Sequence, residues 1–138
     1  MKRRKSRELA FKLLYALELS GDNSQSVIDS FSAVNSTSKE QDEKDRQSWD
    51  YAVQIFKWTL EASKVLDVEL SKVISNWSLD RLSRVDKVLI YMACAEIQFG
   101  GVPHEVVINE VLEMSKSYGD KSSSSFINGV IDSWYKSR

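Results

Sequence analysis

The side chains best suited to chemistry in this chain lie at its start, where basic and aromatic residues alternate. The opening segment is MKRRKSRELAFKLLY, and five of its first seven residues are Lys or Arg. Arginine pairs bidentately with phosphate and its guanidinium plane stacks on bases, while tyrosine adds a ring and a hydroxyl. Such a set is typical of a surface that binds single-stranded RNA, whose bases are accessible.

Charge is distributed unevenly along the chain. The 138 residues carry a net charge of −1. Residues 1–12 hold six basic side chains against one acidic side chain, Glu8, whereas the other residues hold 13 basic and 19 acidic ones. A basic segment on an acidic chain indicates an electrostatic contact with a polyanion. The alternative from charge alone is a solvated tail that only improves solubility.

Helical periodicity separates a core side from a basic side in the same segment. The apolar residues recur at i, i+3, i+4 and i+7: Ala10, Leu13, Leu14 and Leu17. This spacing predicts an amphipathic helix over roughly 4–19. At about 100° per residue, Arg4, Phe11 and Tyr15 fall within about 40° of one another and beside Arg7, about a quarter-turn from the apolar stripe. Phe11 is expected to be a core residue rather than a contact.

The composition argues against catalysis and against a metal or cofactor. His104 is the only histidine and Cys94 the only cysteine, so His-based metal sites, zinc ribbons and redox CxxC pairs are excluded. No GxxxxGK[ST] or GxGxxG phosphate loop occurs. Cys94 lies in an apolar helical context and is expected to be a buried free thiol, as in a reducing cytoplasm. We therefore predict a binding protein without cofactor, metal or enzymatic activity.

The elements that would position these residues are helices. One Pro and five Gly among 138 residues leave few turn signals, which favours an all-α protein of about seven helices. The apolar periodicity predicts seven helices. The first four are a helix over roughly 4–19, a short helix around 27–34 and two helices within 44–76 divided near 62–64. The others are helices over 83–99 and 103–118 and a last helix after the serines 122–125. No apolar run reaches the eighteen residues of a membrane span.

Three segments in order carry a resemblance to a known family. The first, RRKSRELAFKLLY, contains an R-x-x-A-x-x-x-L-Y pattern. The second, RLSRVDKVLIYMACAEIQFGGVPHEVVINEVLEMSKSYG, contains VP and INE elements. The third, SSSSFINGVID, contains an F-[IV]-N-G-[VI]-[LI]-D pattern. Together they resemble the NusB family of bacterial transcription antitermination factors, with a weaker likeness over 20–75.

The resemblance implies a fold and a function. The expected fold is two small three-helix bundles, about 1–62 and 63–138, packed as a single RNA-binding domain. The expected function is binding of the boxA element of ribosomal RNA operon transcripts together with NusE, a small-subunit ribosomal protein. With other Nus factors and RNA polymerase, this cytoplasmic complex suppresses premature termination and catalyses nothing.

The resemblance also implies site residues by position. The expected RNA contacts are Arg3, Arg4, Lys5, Arg7, Tyr15, Ser122 and Phe126. The expected contacts with NusE are Asp80 and Asp86. Asn109 and Asn128 are expected to be structural amides that tie helices together, because buried amides are usually satisfied within the protein.

Two other interpretations remain open at the level of sequence. The same helical module occurs as the RNA-binding part of a ribosomal RNA cytosine methyltransferase, which would make this chain a fragment of an enzyme. Because the chain begins with Met1 and ends at residue 138 without a methyltransferase segment, we expect a complete protein. A third interpretation is a structural helical homodimer, which is compatible with RNA binding because some family members self-associate.

Overall fold

The structure, a computed structural model, describes residues 3–35, 43–75 and 82–138. Within these ranges the chain forms six α-helices and no strand. The helices are α1 (Arg4–Ser20), α2 (Ser24–Asn35), α3 (Glu43–Ile74), α4 (Arg84–Gly100), α5 (His104–Tyr118) and α6 (Ser123–Lys136). The prediction of an all-α fold is confirmed. No helix of the described ranges is long and apolar enough to span a membrane.

The predicted break near 62–64 is wrong, and it accounts for the difference between seven helices and six. Helix α3 runs without interruption for 32 residues. Its sequence contains neither Gly nor Pro, so nothing in it removes a backbone donor or favours a non-helical dihedral. Ala62 at the expected break is 4% exposed, and it continues the apolar side of the helix toward the buried Leu66.

The described residues up to Lys57 form one compact unit. In this unit α1 packs on α2, and the buried residues of α1 include the predicted stripe positions Ala10, Leu13 and Leu14. Helix α1 ends where Gly21 adopts φ 69° and donates its N–H to the carbonyl of Leu17. A left-handed residue at this position favours glycine, because a Cβ atom would crowd the backbone there.

The described residues from Trp58 onward form the second compact unit, in which α4, α5 and α6 pack on one another. Their buried apolar side chains include the predicted stripe of α5 and the inward face of α6: Val107, Val111, Met114, Ile127, Val130, Ile131 and Trp134. Asn109 and Asn128 are exposed. The prediction that these amides are buried ties between helices is therefore wrong, because each lies on the solvent side of its helix.

Candidate nucleic-acid interface

The cations at the start of the chain differ in their exposure. Arg3 immediately precedes α1 and is half-buried, while Arg4 and Lys5 in the first turn are exposed. Arg7, by contrast, is only 3% exposed. No acidic residue lies in the first turn of α1, so the partial positive charge of the helix N-terminus adds to that of the cations. An anion can therefore reach three of the four predicted cations, and Arg7 is shielded.

The beginning of α3 lies against the start of α1. The buried Ser6 donates its hydroxyl to the carbonyl of Ser48 at 2.8 Å. Asp45 and Tyr51 lie three residues on either side of Ser48, a spacing that places all three on neighbouring turns of one helix face. We call Asp45, Ser48 and Tyr51 the α3 face. It was not predicted from the sequence, whose only indication was this three-residue spacing of polar and aromatic side chains.

Two residues of the α3 face hold cations of the α1 start. Arg3 donates from Nη1 to the hydroxyl of Tyr51 at 3.0 Å, and its guanidinium carbon lies 4.2 Å from the centre of that ring. Lys5 forms an ion pair with Asp45, with 2.7 Å between Nζ and Oδ1. Arg3 is thus held by a neutral aromatic side chain, whereas Lys5 is held by a carboxylate.

The aromatic residues of α1 divide into a core member and an accessible member. The rings of Phe11 and Tyr15 are stacked, with centres 5.7 Å apart and planes inclined by 18°. Phe11 is 4% exposed, which confirms the prediction that it is a core residue, while Tyr15 is half-buried. Tyr15 and Arg4 share a side of the helix, about 16 Å apart along its axis at 1.5 Å per residue. A ring and a cation this far apart suit separate, non-adjacent nucleotides of one strand.

Ser122 lies in a tight turn between α5 and α6, in the second unit. It is exposed, and its backbone N–H and hydroxyl both donate to Oδ1 of Asp120, at 2.9 and 2.8 Å. These two hydrogen bonds lower the pKa of Asp120 because they favour the ionised carboxylate, and the bond from the Ser122 hydroxyl has the larger effect. Ser122 therefore already has an anionic partner within its own turn.

Phe126 lies one turn into α6, where the chain is closely packed. Its ring is only 2% exposed. The neighbouring Ser123 is buried, and a Cβ atom at Gly119 would come within 2.5 Å of the Ser123 hydroxyl oxygen. In this conformation the ring of Phe126 is not accessible to a base, so its predicted contact with RNA would require it to move.

The structure describes only one of the two aspartates expected to contact NusE. Asp80 lies outside the described residues. Asp86 is 4% exposed and lies in the first turn of α4, where its N–H group donates to the Ser83 hydroxyl at 3.1 Å. This is the hydrogen bond of an N-terminal cap, and a carboxylate in the first turn is favoured by the helix dipole. Little of Asp86 is accessible to a partner protein.

His104 and Cys94, the only histidine and the only cysteine of the sequence, both lie in structural surroundings. The His104 ring stacks on Tyr135 at 3.7 Å between centres, and its Nε2 lies 3.3 Å from a carboxylate oxygen of Glu105. Cys94 is fully buried, and desolvation raises the pKa of its thiol well above the usual value. Among the described residues no group of three His, Cys, Asp or Glu side chains could hold a metal ion.

Comparison of the whole chain with known proteins identifies its family. The NusB family model matches residues 4–136. The chain belongs to the NusB family. The resemblance drawn from the three sequence segments is thereby confirmed. A transcription antitermination protein NusB from Clostridium tetani is 35% identical over 147 residues, which cover 96% of this chain and 96% of that protein.

Solved structures of NusB proteins share the fold. The crystal structure of T. maritima NusB matches with a TM-score of 0.81 and 28% identity, covering 99% of this chain and 92% of that one. A NusB determined in complex with NusE and double-stranded RNA also matches with a TM-score of 0.81, at 23% identity, over 99% of this chain and 97% of that one. The second likeness concerns the fold alone.

Proposed function

We propose that this NusB family member is an RNA-binding transcription antitermination factor. It binds boxA-type RNA of ribosomal RNA operon transcripts together with NusE. With other Nus factors and RNA polymerase, it helps the elongating enzyme to resist premature termination. This action takes place in the cytoplasm and consists of binding, without a catalysed reaction.

Relatives support this proposal at the level of the whole chain. The NusB proteins that match it over nearly their full length are named transcription antitermination proteins. One solved NusB of the same fold forms a complex with NusE and double-stranded RNA. Because the match extends from residue 4 to residue 136, it includes the cations Arg4, Lys5 and Arg7 and the six described helices, but not Arg3.

The observation that carries the proposal is the set of accessible cations at the N-terminus of α1. Arg3, Arg4 and Lys5 lie within one helical turn, at the end of the helix where the backbone N–H groups have no intrahelical acceptor. Tyr15 and Tyr51, both half-buried, lie on α1 and on the facing part of α3. Cations beside tyrosine rings suit a phosphate backbone with accessible bases.

The remaining predicted contacts enter the proposal with different roles. Arg7 and Phe126 are buried, and we assign them to support of the surface from within, since neither presents its polar or aromatic face to solvent. Ser122 is exposed and is proposed to order the turn before α6 through its hydrogen bonds to Asp120.

Replacement of Arg3, Arg4 and Lys5 together by Ala tests the RNA-binding part. The affinity for a labelled boxA-type RNA would be measured by fluorescence anisotropy at 50 and 200 mM salt. Each lost phosphate contact lowers the slope of log affinity against log salt by about 0.7 for a single strand. Three contacts correspond to a slope change of about 2, so the wild-type affinity should fall about 20-fold more than that of the variant between the two salt concentrations.

A matched control removes the same charge elsewhere. Lys57, Lys64 and Lys72 are exposed lysines of α3 outside the α3 face, and their joint replacement by Ala should leave the salt slope unchanged. Equal losses in both triple variants would mean that only net charge matters. Equal affinity of the wild type for boxA-type and scrambled RNA, with and without NusE, would refute the antitermination role.

The proposed contact with NusE requires a separate experiment. Asp80 and Asp86 would each be changed to Lys, and pull-down with NusE would be compared with RNA affinity measured without NusE. Loss of NusE binding with unchanged RNA affinity is expected. Asp86 is buried in the cap of α4, so Asp86→Lys can also destabilise that helix. Asp86→Asn and thermal melting of each variant therefore distinguish loss of the NusE contact from destabilisation of α4. Full NusE binding by both Lys variants would exclude these residues from the interface.

A further inference from the structure

The Arg3 guanidinium group makes two kinds of contact with one side chain, Tyr51. The guanidinium carbon lies over the Tyr51 ring at 4.2 Å from its centre, and one N–H group donates to the hydroxyl at 3.0 Å. Ring and hydroxyl together restrict both the tilt and the rotation of the guanidinium group. A guanidinium group has five N–H donors, so most of them remain available beyond this single hydrogen bond.

The electrostatic surroundings of this pair differ from those of its neighbour. Within the described ranges Arg3 has no carboxylate partner, and its side-chain contacts are with the neutral Tyr51. Lys5, two residues further along the chain, is paired with Asp45 at 2.7 Å. An incoming phosphate must displace the carboxylate from Lys5, but it can approach Arg3 without displacing any anion.

We propose that Tyr51 is a positioning residue for RNA, which holds the Arg3 guanidinium in the orientation that receives a phosphate or a base. This inference rests on the proposed RNA-binding function and extends it from the N-terminus of α1 to the α3 face. An orientation held in advance reduces the entropy that RNA binding must spend on a long, flexible side chain. Tyr51 thus acts on RNA through Arg3.

A double-mutant cycle between Arg3 and Tyr51 tests the proposal. Tyr51→Leu removes ring and hydroxyl and should weaken binding of boxA-type RNA by about fivefold, and Tyr51→Phe, which keeps the ring, by about twofold. In an Arg3→Ala background both changes should have no further effect on affinity. Losses of the same size in the two backgrounds would overturn the inference, because Tyr51 would then act independently of Arg3.

Arg3→Lys provides a readout that separates orientation from charge. It keeps the positive charge but loses the planar group that stacks on the ring. Positioning predicts that Arg3→Lys binds RNA more weakly than the wild type, that its salt slope is unchanged, and that it responds little to Tyr51→Leu. Wild-type affinity in Arg3→Lys would mean that charge alone suffices, and the inference would fail.

A second cation–aromatic pair of the protein supplies the control. Lys87 lies 5.9 Å from the centre of the Tyr91 ring in α4, and Tyr91→Leu should leave RNA affinity unchanged.

Thermal melting of every variant identifies loss of folding, and a 12-nucleotide poly-U RNA serves as a second probe. One outcome is that the poly-U affinities show coupling between Arg3 and Tyr51 while the wild type binds boxA-type RNA no more tightly than poly-U. This outcome would support positioning by Tyr51 and refute the antitermination role. BoxA preference without coupling would refute positioning alone, and binding of neither RNA would refute both.

Discussion

Removal of the Asp45 carboxylate should strengthen RNA binding while it weakens the fold. Lys5 and Asp45 form an ion pair of 2.7 Å, in which the two side chains are 60% and 41% exposed. The change Asp45→Asn keeps the size of the side chain and removes its charge. Lys5 then loses its competing partner and becomes available to phosphate.

The expected magnitude follows from the exposure of the pair. Exposed ion pairs contribute about 0.2–1 kcal/mol, so release of Lys5 should raise RNA affinity by at most about fivefold at low salt. The free energy of unfolding should fall by up to about 1 kcal/mol from the lost ion pair, and further because Asp45 lies in the first turn of α3, where the helix dipole favours a carboxylate. The salt slope should stay the same, because Lys5 contacts one phosphate in both complexes and only the cost of displacing the Asp45 carboxylate is removed.

The assay combines anisotropy titrations of boxA-type RNA at 50 and 200 mM salt with thermal melting. Asp50→Asn is the matched control, since Asp50 is an exposed carboxylate of α3 that lies about 140° around the helix from Asp45. The double variant Lys5→Ala with Asp45→Asn tests whether the gain depends on Lys5.

Two results would refute this reasoning. If Asp50→Asn raised RNA affinity as much as Asp45→Asn, the gain would reflect net charge and not release of Lys5. If Asp45→Asn still raised affinity in the Lys5→Ala background, the ion pair would not be its cause.

Two further predictions concern the turn between α5 and α6. Gly119→Ala should lower the free energy of unfolding by about 1–3 kcal/mol, because the added Cβ would lie 2.7 Å from the Cβ of Ser123 and 2.9 Å from the Ser115 carbonyl oxygen; thermal melting measures this, and an unchanged Tm would contradict the packing. Ser122→Ala should raise the pKa of Asp120 toward its usual value of 3.8, since the Ser122 hydroxyl is the largest cause of its lowering. A carboxyl group with a lowered pKa stabilises the fold at pH values above its unfolded pKa, and this stabilisation is lost as the pH falls through its folded pKa. The variant should therefore be less stable than the wild type only near and above pH 4. NMR titration of the Asp120 carboxyl carbon measures the pKa in both proteins, and identical titrations would exclude the hydrogen bond as the cause of the lowering.

Local sequence signals predicted most of the helices because they depend on residues close together in the chain. Gly21 and Gly101 end α1 and α4 with φ of 69° and 66°, the left-handed conformation that glycine adopts most readily after a helix. The long α3 was divided incorrectly because typical helix lengths favoured a break. Its continuity depends on the absence of any breaking residue and on the burial of Ala62.

The candidate interface was predicted in part. The basic start and its place on α1 follow from composition and periodicity, and the family follows from three ordered segments. The α3 face could not be found in this way, because Asp45 and Tyr51 lie 40 and 48 residues from the cations that they hold. Helical periodicity relates residues a few positions apart and carries no information on which helices lie side by side.

The sequence by itself determined an all-helical chain of the NusB family with a net positive charge before residue 13 and a net negative charge after it. Only the tertiary structure decided which of these cations are accessible. Arg7 is 3% exposed although it is as basic as Arg4, and Lys5 is paired while Arg3 rests on a ring. The reason is physical: charge is a property of each residue, whereas exposure and pairing depend on the helix that packs against it.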